Sequence, residues 1–367
     1  MGVKSRKFWV LLAAALGGGV ALLGLLVAAS GVIPIKASSG HWAITEWLLH
    51  FSMRRSIVTH TLGDELPSLD DPALVLRGAG HYESGCQPCH GGPELHEPRV
   101  ARAMLPPPPD LKYAADKWEP EELFYIVRHG IKFTGMPAWP TPGRDDEVIA
   151  VVAFLEALPK LDAARYRALV YGPAARTEQD RGAQSCARCH GRSGEGRENS
   201  AFPKLAQQRE GYLLAALDAY ADDRRHSGIM QPIAAALDPK ARRELAKRYA
   251  GEVRQPVTSG AADAERVARG REIALHGIPS QRVPACASCH GPRLERDNPL
   301  YPRLAGQHAD YLVLQLELFQ RNERGGSPRA HLMLKAAPPL HPEQLRDVAT
   351  FYATLADDDS TDSVSTR

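Results

Sequence analysis

One pentapeptide pattern occurs three times in the 367 residues: Cys86-Gln-Pro-Cys89-His90, Cys186-Ala-Arg-Cys189-His190 and Cys286-Ala-Ser-Cys289-His290. The copies stand one hundred residues apart and use all six cysteines of the chain. Whatever this sequence folds into must therefore present two thiols and a neighbouring imidazole in each third. C-x-x-C-H is the attachment signature of c-type haem, in which the thiols add across the porphyrin vinyl groups and the His offers iron its proximal nitrogen. A zinc ribbon needs two C-x-x-C pairs close enough to complete one tetrahedron, and here each pair stands alone. A thioredoxin-type redox pair has no use for a trailing His in triplicate. A disulfide closed within C-x-x-C is strained. The expectation is three covalent haem c groups, attached through Cys86, Cys89, Cys186, Cys189, Cys286 and Cys289, with His90, His190 and His290 on the irons.

The spacing divides the chain into three helical modules, 68–165, 172–252 and 260–357. Each closes on a helix-like pattern. In the first, Asp145-Asp146-Glu147 opens an apolar run to Leu158, with Pro159 as a stop. In the second, Asp238-Pro239 has a cap residue followed by Pro at the first helical position. In the third, Leu345, Val348, Phe351 and Tyr352 follow Pro342. The second and third modules resemble each other most. Phe202-Pro203-Lys-Leu205-Ala206 with Tyr212-Leu213 aligns without a gap with Tyr301-Pro302-Arg-Leu304-Ala305 with Tyr311-Leu312. Such self-similarity argues for duplication of one unit. Linkers are expected near 172–177 and 252–263, and the polar tail 358–367 reads as disordered.

A haem held by His alone is an open site, whereas Met on the far face closes it and raises its potential. Met136, Met230 and Met333 follow their haem His by 46, 40 and 43 residues, one in each module. They are the expected distal ligands. Met104, only 14 residues beyond His90, competes with Met136, and His226 and His331 are possible substitutes in the other two modules. Pro203 and Pro302 lie 13 and 12 residues past their haem His, where a backbone carbonyl would accept the imidazole Nδ1–H. The run Pro106–Pro109 is the looser counterpart in the first module.

From Phe8 to Ile35 no residue is charged, and Lys4, Arg6 and Lys7 precede this stretch. A retained transmembrane anchor over 8–35, with residues 1–7 cytoplasmic, fits its length and the positive-inside rule. A cleaved signal peptide is the alternative, but its apolar core is normally only ~7–15 residues. Residues 41–62 place Ile44, Trp47, Leu48 and Phe51 on one helical face, with Trp42, Arg54 and Arg55 nearby. That pattern predicts an amphipathic helix at the membrane surface, serving as a collar for the anchor or as a docking element. Formal charge is +2 overall, and the first module has 10 basic against 15 acidic side chains. No nucleic-acid footprint is present.

The C-x-x-C-H, proline loop, Met loop and closing aromatic helix together resemble class I cytochrome c domains, over roughly 68 to 357. Modules two and three are similar to tandem dihaem bacterial cytochromes, in which Phe/Tyr-Pro-x-Leu-Ala-Gly-Gln is typical. Module three keeps Gly306 and Gln307, while module two has Gln207 in place of the Gly, which puts its local turn in question. The Pro-Pro-Pro-Pro-Asp-Leu and Gly-Met-Pro-Ala-Trp runs of module one resemble monohaem domains of membrane-anchored respiratory cytochromes. The resemblance implies an all-α fold of three cytochrome domains behind a transmembrane helix, relaying single electrons in the periplasm at a bacterial inner membrane. Partners would be redox proteins, a dehydrogenase or a terminal oxidase. An alternative is the cytochrome subunit of a membrane-bound dehydrogenase complex that reduces quinone. A haem peroxidase or nitrite reductase would need an exchangeable distal position with acid–base groups beside it, against which one candidate Met per module argues.

Overall fold

A computed structural model of the chain describes residues 3–33, 36–93, 97–172, 185–197, 200–254, 263–291 and 298–355. These hold eleven helices of nine residues or more: α1 (Val3–Ala29), α2 (Ala43–His60), α3 (Pro72–His81), α4 (Pro120–His129), α5 (Asp145–Ala157), α6 (Ala163–Tyr171), α7 (Glu210–Ala221), α8 (Pro239–Gly251), α9 (Ala264–His276), α10 (Ala309–Gln320) and α11 (Pro342–Thr354). No strand occurs among the described residues; Ile278 and Val283 form an isolated antiparallel bridge. The fold is all-α, as the resemblance to class I cytochrome c domains implied. The expected linkers fall largely, and the tail entirely, outside the described residues.

Within α1, the 22 residues from Phe8 to Ala29 are apolar and long enough to cross a membrane, and none is buried against the protein. The helix ends before the apolar stretch does, with Ser30 donating to the Val27 carbonyl at 2.7 Å; residues 34 and 35 lie outside the described set. α2 is divided along its length. Its first half exposes Ile44, Trp47, Leu48 and Phe51. Its second half belongs to module one: Ile57 is buried, the Arg54 guanidinium lies 4.7 Å from the Trp118 ring centroid, and His60 stacks on Tyr125 at 5.6 Å. The expected surface-lying helix is thus also a strut between the apolar segment and the first module.

In module one, α3 crosses α5 over a core that includes Tyr82, Val148, Val151, Phe154, Leu158 and Tyr166. The crossing is close because Gly78 has no side chain: a Cβ there would fall 1.9 Å from the Ala150 carbonyl oxygen. Module three repeats the device. α9 crosses α11 at Gly270, where a Cβ would lie 2.0 Å from the Asp347 oxygen, above a core with Leu345, Val348 and Tyr352. The helix starts follow local chemistry. Asp71 accepts from the Ala73 N–H at 2.9 Å and Asp238 from Ala241 at 2.8 Å, each just ahead of a Pro at the first helical position. Module two has a smaller core of Leu213, Ala246 and Tyr249.

Modules two and three interlock through equivalent residues. The Gln208 amide donates to the Arg303 carbonyl at 2.9 Å and accepts from the Arg303 N–H at 2.7 Å. Gln307, its counterpart, does the same to Lys204, at 3.0 Å in each direction. Arg254, from the segment after α8, reaches the Ala206 carbonyl at 3.1 Å and also the equivalent Ala305 carbonyl. The turn that sequence left in question is kept: Gln207 has φ 53° and Gly306 φ 69°. Beside this joint, His308 makes a 3.3 Å contact with Ser200 Oγ. Burial, with Lys204 and Arg254 nearby, pulls its pKa down from 6.5 to about 4.

A side chain at Gly270 must part α9 from α11, so Gly270→Leu is expected to destabilise module three by about 3 kcal/mol or more. Thermal unfolding followed by circular dichroism checks this, and an unchanged midpoint would contradict so close a crossing. His308 is neutral when folded, so the unfolded chain binds the extra proton between pH 6.5 and about 4. Its stabilising contribution is complete above pH 6.5 and declines as pH falls through that window. His308→Gln should flatten the fall in thermal midpoint between those pH values relative to wild type; parallel curves would refute the assignment.

Candidate functional site

Each Cys-x-x-Cys-His occupies a short helical turn, Gln87–His90, Ser185–His190 and Ala287–His290. A glycine follows every His, and Gly91, Gly191 and Gly291 have φ of 68°, 78° and 81°. That left-handed conformation ends the turn directly behind the imidazole, and it suits Gly because any Cβ is strained there. The sequence reading passed over this glycine, although its recurrence after all three His residues was visible.

The three imidazoles are fixed alike. His90 Nδ1 lies 2.9 Å from the Pro109 carbonyl oxygen, His190 Nδ1 3.1 Å from Pro203 and His290 Nδ1 2.9 Å from Pro302. A carbonyl only accepts, so Nδ1 carries the proton and Nε2 is left with a free lone pair. The prolines at 203 and 302 act where their spacing suggested; in module one the last residue of the Pro run supplies the carbonyl, 19 residues past His90. Aromatic rings flank two of the imidazoles, Phe202 at 6.2 Å from His190 and Tyr301 at 6.1 Å from His290. Two tyrosines tie the glycine behind the His to the helical core: Tyr82 and Tyr352 donate to the Gly91 and Gly291 carbonyls, both at 2.9 Å.

A cavity of about 680 Å³ runs through modules two and three, and its wall includes both of their cysteine pairs, His190, His290, Met230 and Met333. Polar groups enter it from a few places. Arg225 is buried, lies 4.6 Å from the Tyr220 ring centroid and reaches Gln315 at 3.4 Å. Arg324 donates to Tyr212 Oη at 2.9 Å. Among the described residues neither arginine pairs with a carboxylate. His81, from module one, also lines the cavity; it is buried and neither ring nitrogen has a hydrogen-bond partner. Burial, with Arg77 and Arg144 adding, pulls its pKa down to about 3. An apolar cavity bearing paired thiols, a free imidazole lone pair and unmatched cations fits a haem, which is apolar over its faces and carries two carboxylates on one edge.

The thiols do not suit an exchange-active redox pair. Burial pushes Cys86 up to about 12 and Cys286 up to about 11, the reverse of the depressed pKa that activates such cysteines.

The methionines lie as follows. Met136 packs against the module-one core together with Cys86. Its loop is closed by the Ile131 N–H to Met136 carbonyl bond at 3.2 Å and by the Met136 N–H donating to Thr134 Oγ1 at 3.1 Å. Met104 is close by, with Sδ 2.9 Å from where a side chain on Gly135 would begin, so the structure brings the competitor to the Met136 loop. The Met230 N–H donates to Ser227 Oγ at 3.0 Å. His226 lies 3.7 Å from Asp223 with nearly half of its side chain exposed, and His331 is exposed to solvent.

A feature that sequence reasoning missed lies between modules one and two. Glu147, read there as an acidic residue of a helix first turn, is 3% exposed and accepts from Ser227 Oγ at 2.6 Å and from the Gly228 N–H at 2.7 Å. Burial raises its pKa, against the opposing pull of Arg144 and the donor from Ser227. No local pattern signals such a contact, since its partners are some eighty residues away.

A family model described as cytochrome C oxidase, cbb3-type, subunit III matches residues 73–155, and one described as cytochrome c matches 180–247 and 267–356. A thiosulfate dehydrogenase electron acceptor of Stutzerimonas stutzeri (strain A1501) is 34% identical over 176 residues, covering 47% of this chain and 80% of that protein. Cytochrome c4 of Thiocapsa roseopersicina is 36% identical, covering 47% and 87%. A solved Acidithiobacillus ferrooxidans cytochrome c4 is 32% identical, covering 46% of this chain and 98% of that one at a TM-score of 0.41. With a haem-attachment turn in every third of its sequence, the chain belongs to the cytochrome c family and is an electron carrier with three covalently bound haem c groups.

Proposed function

We propose that this cytochrome relays single electrons on the periplasmic side of a bacterial inner membrane, held there by α1, through three His/Met centres. The proposed attachment residues are Cys86 and Cys89, Cys186 and Cys189, and Cys286 and Cys289, with axial pairs His90 and Met136, His190 and Met230, and His290 and Met333. When bound, haem supplies one-electron chemistry at an iron whose potential its axial ligands and surroundings tune. The observation that carries the reading is the triple repetition of one imidazole arrangement, Nδ1 bound to a proline-loop carbonyl in every module. Each carbonyl holds its ring in one tautomer and makes Nε2 a stronger donor. The apolar walls exclude water, and thioether links from the paired cysteines would hold the porphyrin in either oxidation state of the iron. Boundaries near 68–165, 172–252 and 260–357 are proposed with them, each enclosing one attachment turn and one of these three methionines.

Lys4, Arg6 and Lys7 ahead of the apolar helix support an N-terminus in the cytoplasm and the haem modules outside. The similarity of nearly half of the chain to a thiosulfate dehydrogenase electron acceptor supports a dehydrogenase as electron donor. A second reading, the cytochrome subunit of a membrane-bound dehydrogenase complex passing electrons to quinone, is favoured by the exposed Trp42, Ile44, Trp47 and Phe51 beside α1, which suit contact with a membrane partner. Purification in mild detergent separates the two readings, because a stable complex retains the dehydrogenase chain and a free relay does not.

Three haems per chain are expected by pyridine haemochrome. Substituting Met136, Met230 or Met333 with Ala, one at a time, should each remove about one third of the far-red Met–Fe(III) absorbance and lower one of three reduction potentials. A variant that keeps the full band excludes that Met as a ligand; if Met136→Ala does so, Met104 is the next variant to measure.

A further inference from the structure

Glu147 stands at the meeting point of the two loops that carry Met136 and Met230. Its carboxylate takes four donors, two from each module: Trp139 Nε1 at 3.0 Å and Arg144 Nη2 at 3.0 Å on one side, Ser227 Oγ at 2.6 Å and the Gly228 N–H at 2.7 Å on the other. Trp139 is three residues beyond Met136 and Ser227 three before Met230. Ser227 passes the contact on, since its Oγ donates to Glu147 and accepts the Met230 N–H at 3.0 Å. The loops approach so closely that a Cβ on Gly228 would lie 2.5 Å from Trp139 Nε1. Arg144 also donates to the His226 carbonyl at 2.7 Å, and Thr141 to Gln231 Oε1 at 2.7 Å, so the backbone around Met230 is gripped on both sides.

Module one reaches the second site from its attachment face too. A Cβ on Gly80 would fall 3.2 Å from Cys189 Sγ and 3.0 Å from the Phe202 ring, and Arg77 Nε donates to the Ala201 carbonyl at 3.2 Å. The first module therefore bounds the second site at its cysteine pair and at its Met loop. The relatives described above each match about half of this chain, and the cytochrome c family model matches 180–247 and 267–356 but not module one.

We propose that Glu147 is a positioning residue for the second haem centre: acting from module one through Ser227, it holds the Met230 loop in its ligating conformation and joins the first and second centres into one electron-exchanging pair. The proposal rests on the His/Met reading given above. In the exchange one electron leaves one centre as the other gains it, and no bond or proton moves.

The test uses the full-length, three-haem protein in detergent. Met230→Ala should first remove about one third of the far-red band; if the band stays whole, the ligand reading fails and this inference with it. Given that loss, Glu147→Gln is expected to weaken the same third of the band, to shift one of the three potentials and leave two in place, and to slow electron equilibration between the first and second centres at least threefold. Ser227→Ala, which removes the hydroxyl joining Glu147 to the Met230 N–H while leaving the carboxylate in place, should weaken the same band, and it replaces Glu147→Gln if that variant does not accumulate. Asp145→Asn, on the same helical turn but exposed and paired with Arg128 at 3.2 Å, should change none of these readouts. A Glu147→Gln or Ser227→Ala protein with the band, all three potentials and the equilibration rate of wild type, alongside a Met230→Ala protein that has lost its third, overturns the inference while leaving the ligand reading intact.

Discussion

The hydrogen bond from each attachment-turn imidazole to a carbonyl in a proline loop organises everything around it. It fixes the ring's tautomer and orientation, and it joins the short cysteine-bearing helix to a segment 12 to 19 residues away. Proline suits the role because its nitrogen has no hydrogen to satisfy, while its rigid ring costs little entropy on ordering. The glycine behind each His, with a tyrosine on its carbonyl in modules one and three, carries that fixed point into the helical core. A module of this kind is thus built outward from one ring nitrogen.

Between modules, recognition runs largely through backbone. Gln208 and Gln307 each read the N–H and carbonyl of the other module's loop, as a paired strand would. Side-chain drift elsewhere on those loops leaves such contacts untouched, which is how Lys204 and Arg303 fill the same place. Modules one and two meet differently, through a buried carboxylate with donors from both sides. A buried charge without matched donors would cost several kcal/mol, so this second joint depends on the fit of particular side chains.

Fold class and haem content were legible because they rest on local signals: a pentapeptide, a helical period, a cap followed by proline. The carbonyls of Pro203 and Pro302 were legible by distance along the chain. Contacts whose partners are remote in sequence were not. Glu147 reads as an ordinary first-turn acid, and its burial follows only from the docking of a loop some eighty residues on. α2 reads as a membrane-surface helix, yet Ile57 and Arg54 show half of it spent on packing. Gln207 shows the opposite case, in which a residue that breaks a motif still adopts the motif's backbone because its backbone N–H must reach the Tyr249 carbonyl at 3.2 Å, as that of Gly306 reaches Tyr352 at 2.8 Å.

Arg254 stands between equivalent positions of the paired halves, its guanidinium shared between the Ala206 and Ala305 oxygens. A group so placed serves both halves with one copy, and a perfectly symmetric pair of separate subunits would crowd two like charges into the same spot. Fusion into a single polypeptide lets one arginine settle there alone. Covalent tandem arrangement thereby permits an asymmetric keystone that two identical separate subunits could not share.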